Sequence, residues 1–485
     1  MSVTKGRGHR RKTGKGEGTM QVPRWLKRVL GAAGVVLGLL ALLAGVFYLR
    51  YMQVPSAPDY PQPAGQAEAW RQDLDYLQRY PDYDWSFDDQ EKASFHAIVD
   101  ELERDAETLT PAQFELGVAR AVAQANNAHT NVSPISRRGR VNGLPLRFVR
   151  FDDGLFVVLA RNDHADLLGA RIETIGDWTP DEITEAFQPY FGGHRGRSAW
   201  ISSLNMESPE LLWAAGLVPN SDRVEIRFTL ADGTETSRSI DAIPPFTDRS
   251  ARRFGGQLME YMVPASGADD WSHVMQDQSP PLYLSQPEQP FFYARIESAS
   301  GEGLYMRLEM TMDVGGFSLS EFHERVLAEL DRRPVQFVVI DLRHNGGGTV
   351  DAGFSRAVSA RVPADGRIFI VTSPQTFSGG ITEAAYFKHF GGDRAVVIGE
   401  PVGDHLVFWA DGGDAMVLPN SGIPIHVWKA LEDWESGCDD WWLCFIPTML
   451  TDVGVGTLEP DVPVSLSFAD YAAGRDPVME YVARQ

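Results

Sequence analysis

Apolar residues recur along this chain in several distinct rhythms, and the changes of rhythm divide it. Residues 29–49, VLGAAGVVLGLLALLAGVFYL, show no polar face at all: 21 residues pass without a charge, enough to cross a bilayer as a helix. Residues 50–68, with four prolines, read as a stiff spacer. From 69 to 140 the spacing is helical, with Phe114, Val118, Val122 and Ala125 recurring at three or four; the last helix stops near Asn126 and Asn127, and His129 sits at its exit. Between 141 and 240 the rhythm shortens. LPLRFVRFDDGLFVVLA predicts two strands around an Asp-Gly turn, GARIETIGDWTPDEITEAF a strand, a turn and a helix opened by Thr179, and RVEIRFTLADGTETSRSI a closing hairpin. An insertion over 192–219 has no purpose that the pattern explains, and 241–284 reads as a connector. From 285 to 485, the near-continuous apolar runs VQFVVIDLR and GRIFIVTS alternate with the amphipathic SLSEFHERVLAELDR and a helix over about 380–390. Apolar runs of that kind suit strands covered on both faces, so an α/β sheet is expected, with any site beyond the carboxyl ends of its strands.

Charge adds topology. Residues 1–28 carry nine Lys or Arg against the single acid Glu17, a bias that keeps such a tail cytoplasmic and sends the rest across. A cleaved signal peptide has the same order of charge and apolar core, but the long basic preface and full spanning length favour an uncleaved anchor. The expectation is a single-pass protein of the cytoplasmic (inner) membrane, held through residues 29–49, with its main part outside the cytoplasm, in the periplasm. The remaining chain has 35 basic and 65 acidic residues, about −30, which argues against nucleic acid as a partner. Cys438 and Cys444, the two cysteines, can close a small loop in an oxidising compartment or remain buried thiols. Their spacing lacks the further ligands of a zinc site, so no metal is expected, and no cofactor motif is present.

Candidate chemistry falls at the ends of two adjacent apolar strands. DLRHNGGG places Gly346, Gly347 and Gly348 after the first, and TFSGG places Ser378 before Gly379 and Gly380 after the second. Bare N–H groups in such a glycine run can bind an anion or a developing oxyanion, although the string lacks the Lys of a phosphate loop. Ser378 reads either as a helix cap or as a nucleophile. No G-x-S-x-G occurs, so the usual hydrolase elbow is not expected.

Taken in order, VVIDLRHNGGG, VTSPQTFSGG, IGEPVGD, MVLPNSG and EPDVPVSLSFADYAAGRDPVME resemble the tail-specific, or carboxyl-terminal-processing, serine peptidase family, most nearly its tricorn-core and retinol-binding-protein-like branch. The likeness is strong over about 290–480 and looser back to about 80. It implies a crotonase-like ββα-type catalytic α/β core (285–485) with an inserted PDZ-like domain (141–240) after a helical segment (69–140). It further implies Ser378 as nucleophile and Gly346 or Gly347 with Gly379 as oxyanion donors. The processing branch takes a Lys base from a stretch that reads GEPVGDH here, without Lys. The tricorn-like branch uses a His before the PDZ-like domain, which NNAHTNV matches at His129; His344 and His405 are the competing bases. Glu432 is the expected acid, with Asp433 and Glu435 as alternatives. A peptide or protein substrate follows, with a non-cleaving binding module or a serine esterase as the other readings.

Overall fold

Strands that are apolar along their whole length lie in the middle of one sheet. The computed structural model describes Met1 and residues 24–245, 262–263, 270–349, 351–451 and 453–485, which form two units, Met1–Met52 and Gln53–Gln485. Most of the basic tail and part of the connector lie outside the described residues. In the first unit the Arg24–Phe47 helix runs on into a turn at Tyr48–Met52. Its stretch Arg28–Met52, of mean hydropathy 2.5, is the one helix among the described residues long and apolar enough to cross a bilayer.

The second unit begins with helices Gln66–Leu77, Asp89–Asp105 and Pro111–Val122, the last two opened by capping boxes at Asp88/Glu91 and Thr110/Gln113. Strands β1 (Leu146–Phe151), β2 (Gly154–Arg161), β3 (Arg171–Ile175), β4 (Arg223–Thr229) and β5 (Glu235–Asp241) then form an antiparallel sheet in that order. The Pro180–Phe187 helix packs on it through Ile183 and Phe187. β6 (Trp271–His273), within the stretch read as a connector, pairs with β2. The insertion folds into helices Arg195–Met206 and Pro209–Ala214, whose Ile201, Met206, Leu211 and Leu212 complete this domain's core.

The rest is built on β7 (Phe291–Ser298), β8 (Gly301–Leu308), β9 (Phe337–Asp341), β10 (Arg367–Thr372), β11 (Ala395–Gly399), the hairpin β12 (Val407–Val417) and β13 (Pro424–Asp433), and β14 (Val462–Pro463). Six of these make a sheet in the order β14-β11-β10-β9-β8-β7, parallel except between β7 and β8. Val338, Ile340, Ile368 and Ile370 pack one face against the Leu319–Arg332 and Gly379–Gly391 helices. Phe337, Val339, Phe369 and Val371 meet Val478 and Val482 of the Pro477–Ala483 helix on the other. Burial on both faces is why those runs carry no polar alternation.

The crotonase-like ββα-type core expected above does not form. Only β7, β8 and the Leu319–Arg332 helix make a ββα unit; from β9 to β11 each strand reaches the next through a single helix. Parallel neighbours require such crossovers, and the apolar runs, too short to hold a second hairpin, leave no partner strand for further ββα units. The β12/β13 hairpin leaves this sheet and packs Met416, Leu418, Ile425 and Val427 against Trp70, Leu74, Phe95 and Phe114 of the N-terminal helices. Asp73 accepts the N–H groups of Asn420 and Ser421 (2.7 and 2.8 Å), which fixes the LPNSG segment as the hairpin's turn.

One carboxyl inside the core titrates out of place. Glu383, in the Gly379–Gly391 helix, is 2% exposed and accepts a hydrogen bond from Ser355 Oγ (2.8 Å). Burial pushes its pKa up to about 8. Between about pH 4.5 and that value the folded state holds a proton that the unfolded state has lost. Stability contributed here is therefore greatest at low pH and declines by up to about 1.4 kcal/mol per unit as pH rises. Glu383→Gln is expected to raise Tm at pH 8 and to flatten its fall between pH 5 and 8. Equal pH profiles for the two proteins would refute the assignment.

Candidate active site

β10 ends at Thr372, and seven residues later, at Gly379, a helix begins; the turn between them is held from several sides. Thr376 Oγ1 accepts from the Ser373 N–H (3.0 Å) and donates to the Leu342 carbonyl (2.8 Å). The Phe377 N–H donates to the Asn345 carbonyl (2.9 Å), and the Gly403 N–H to that of Thr376 (2.8 Å). These bonds drive Ser378 into φ 55°, ψ −126°, although it is not a glycine. Such a conformation costs on the order of 1–3 kcal/mol and persists only where its surroundings impose it. Ser378 makes no capping bond to the helix it precedes, so its hydroxyl remains uncommitted at a helix N-terminus.

The glycines let two loops meet at this serine. Gly347 has φ 111°, and a Cβ there would lie 2.6 Å from Ser378 Cβ; one on Gly379 would lie 2.5 Å from the Gly348 carbonyl oxygen. The Gly346 N–H donates to the Glu309 carbonyl (3.0 Å) and the Gly347 N–H to Asn345 Oδ1 (2.8 Å). Those of Gly348 and Gly379 have no acceptor among the described residues. Gly347→Ala is expected to lower stability by about 1–3 kcal/mol and to displace the Ser378 side chain. Matched denaturant midpoints for variant and wild type would contradict this.

His129 arrives from the other side. Its helix ends through Ala123–Ala125 and a left-handed Asn126 (φ 46°), after which the Asn127 side chain bonds both the N–H and the carbonyl of Trp409 (3.1 and 2.9 Å). The His129 ring stacks on Phe377 (centroids 4.2 Å apart) and Phe408 (4.9 Å), and its carbonyl accepts from Trp428 Nε1 (2.6 Å). His129 Nδ1 lies 3.3 Å from Asp404 Oδ2, within ion-pair distance but not aligned as a hydrogen bond; Nε2 has no hydrogen-bond partner among the described residues. The unexplained insertion closes over this pair. A Cβ on Gly193 would sit 2.8 Å from Asp404 Oδ1, and the Arg197 guanidinium lies 3.5 Å over the Phe377 ring. Burial pushes the Arg197 pKa down to about 10 against the opposing pull of Asp404.

Ser378, Gly348 and Gly379 face a cavity of about 660 Å³, whose wall includes Trp428 and Glu432. The Glu432 carboxylate accepts from Trp434 Nε1 (2.8 Å) and Thr382 Oγ1 (3.3 Å). Burial and the neighbouring Asp411 drive its pKa far up. It therefore lies on the Ser378 side of the site, and the carboxylate beside His129 is Asp404. Asp433 Oδ1 accepts the N–H groups of Glu435 and Ser436, and Glu435 is exposed. His344 lines a separate cavity of about 290 Å³, bonded to Gln375 (2.9 Å), with its pKa pushed down to about 4 by burial. His405 lines a recess with His194. Cys438 and Cys444 are joined as a disulfide. Among the described residues no group of three or more His, Cys, Asp or Glu is placed to hold a metal ion. Asp404, beside the imidazole, and Gly348, whose N–H has no acceptor among the described residues, both stand in quoted motifs, but neither spacing tells which acid meets the imidazole or which glycine keeps its N–H unengaged.

No protein-family model and no curated protein matches the chain. Among solved structures, mature CPAF complexed with lactacystin superposes with a TM-score of 0.53 at 12% identity, covering 86% of this chain and 97% of that one. Mature CPAF alone gives 0.53 at 11%, covering 86% and 96%. The photosystem II D1 C-terminal processing protease gives 0.33 at 13%, covering 86% and 99%. The chain therefore shares the CPAF-type α/β fold with its PDZ-like insertion, not a crotonase-like ββα core.

Proposed function

We propose that this chain is a membrane-anchored serine peptidase, with Ser378 as nucleophile, His129 as base and Asp404 as the group that orients the imidazole. The observation that carries this reading is the forced backbone of Ser378: an uncapped hydroxyl at a helix start, beside two N–H groups that have no acceptor among the described residues. The sequence resemblance supplies the class of activity, and the fold shared with CPAF agrees with it. Asp404 beside Nδ1 favours the tautomer that leaves Nε2 as a proton acceptor, and contacts of this kind tighten when substrate is bound. Ser378 Oγ forms a bond to the scissile carbonyl carbon as its proton passes to His129 Nε2. The oxygen gains the electron pair of the carbonyl π bond and is held by the N–H groups of Gly348 and Gly379. Collapse breaks the C–N bond, His129 returns the proton to the leaving amine, and water then releases the acyl group by the same steps.

The Arg28–Met52 helix and the basic residues before it support an anchor in the cytoplasmic membrane, with the catalytic unit on the periplasmic side. The test is to treat the full chain in detergent with a fluorophosphonate and to locate the adduct by mass spectrometry. A single adduct on Ser378, together with hydrolysis of casein, is expected. A folded chain that takes no label, or takes it on another serine, would overturn the proposal.

A further inference from the structure

The catalytic unit grips its own chain at the first residue after the membrane-crossing stretch. That stretch ends at Met52, and the carbonyl of Gln53 accepts a hydrogen bond from Lys429 Nζ of β13. Tyr76 Oη donates to the Pro55 carbonyl (2.6 Å) and Gln72 Nε2 to that of Pro61 (3.0 Å). The proline-rich segment is thus docked along the unit rather than spanning open solvent. Gln53 follows Met52 directly, so Lys429 holds the chain where that stretch ends.

Close to Lys429 along the chain lies a stapled apolar loop. The Leu431 N–H, two residues beyond Lys429, donates to the Leu443 carbonyl (2.8 Å), and the Phe445 N–H donates back to the Leu431 carbonyl (3.2 Å). The Cys438–Cys444 disulfide closes the loop, and Asp440 Oδ1 turns it by accepting the N–H groups of Trp442 (2.8 Å) and Leu443 (3.3 Å). Trp434 is buried, but Trp441 and Trp442 are each 62% exposed, their rings 4.1 Å apart. Leu443, Ile446 and Leu450, within the next eight residues of the chain, are exposed as well. Exposed apolar residues gathered in one short loop mark a contact surface, and tryptophan favours the zone between acyl chains and headgroups.

We propose that Trp441, Trp442, Leu443 and Ile446 insert into the interfacial zone of the phospholipid bilayer and so lay the catalytic unit on the membrane. This rests on reading the Arg28–Met52 helix as a membrane span. Asp439 and Asp440 flank the loop, so the attraction is apolar rather than ionic, and uncharged lipid suffices. Leu450, with Phe445, also lines the Ser378 cavity, so docking brings the wall of that cavity to the lipid surface. Polypeptide lying near the membrane is then the substrate that reaches it first.

The full chain has 12 tryptophans, so the loop is isolated by difference. Wild type and a Trp441→Phe/Trp442→Phe variant, which keeps an apolar loop, are placed in phosphatidylcholine nanodiscs with or without bromine near the headgroup end of the acyl chains. The emission lost in the variant is that of the two indoles. Bromine is expected to quench about half of it or more, as for indoles at the interface, at low and at high salt alike. Equal emission with and without bromine overturns the proposal. An accompanying change with added casein, or with protein concentration, would give the loop to substrate or to a second copy. The Trp25→Phe difference separates the two readings. Quenching of Trp25 without quenching of the loop rejects only the docking, while quenching of neither rejects the membrane span as well.

Discussion

Ser378→Ala is expected to take no fluorophosphonate label and to lower casein hydrolysis by a factor on the order of 10⁶, down to what oxyanion binding alone supports. The fold is not expected to suffer, because the Ser378 hydroxyl accepts no capping bond and the turn is set by Thr376, Asn345 and Gly403. Alanine inherits the strained φ of 55°, so its stability stays near that of wild type. Ser378→Gly removes the same hydroxyl but relieves the backbone, and it is expected to be more stable than wild type by about 1 kcal/mol. A pair of inactive variants, one of them stabilised, is the signature of strain maintained for chemistry. The measurements are label incorporation by mass spectrometry and the denaturant midpoint. Full activity in either variant would show that Ser378 merely opens a helix.

The second large effect separates two acids. Asp404→Asn keeps the shape beside His129 Nδ1 but lets the imidazole settle in the wrong tautomer, and the rate of fluorophosphonate modification is expected to fall by about 10²–10⁴. Glu432→Gln is expected to change it less than about tenfold, because burial and Asp411 push that carboxyl towards its neutral form, and an amide fills the same place beside Trp434 and Thr382. The two rates are compared at one pH, with unfolding midpoints to confirm that both variants fold. The reverse order, with Asp404→Asn near wild type and Glu432→Gln slow, would return the orienting role to the acid that the resemblance implied.

Much of this was legible in the chain. The apolar runs that became β9 and β10 were recognisable because burial on both faces removes polar alternation, and Thr179 announced its helix because a capping box is local. The triple glycine was equally visible, but its use was not. Gly346 and Gly347 have their N–H groups engaged by Glu309 and Asn345, and only folded neighbours decide which amide remains free. The insertion over 192–219 gave no periodic hint of its place because its partners, Ala128, Phe377 and Asp404, lie far away along the chain. Trp434 and Trp442 stand eight residues apart, yet one packs in the core and the other faces outward.

By itself, the sequence determined an apolar stretch long enough to cross a membrane, an antiparallel domain set into an α/β chain, and a serine and a glycine run at the ends of neighbouring strands. All of these follow from interactions within a few residues or from the solvent each face meets. The crossover pattern that replaced the expected ββα core, the placing of Asp404 rather than Glu432 beside His129 and the strained φ of Ser378 were decided only by tertiary structure. Each depends on which distant groups are brought within a few ångströms, and short-range pattern carries no record of that.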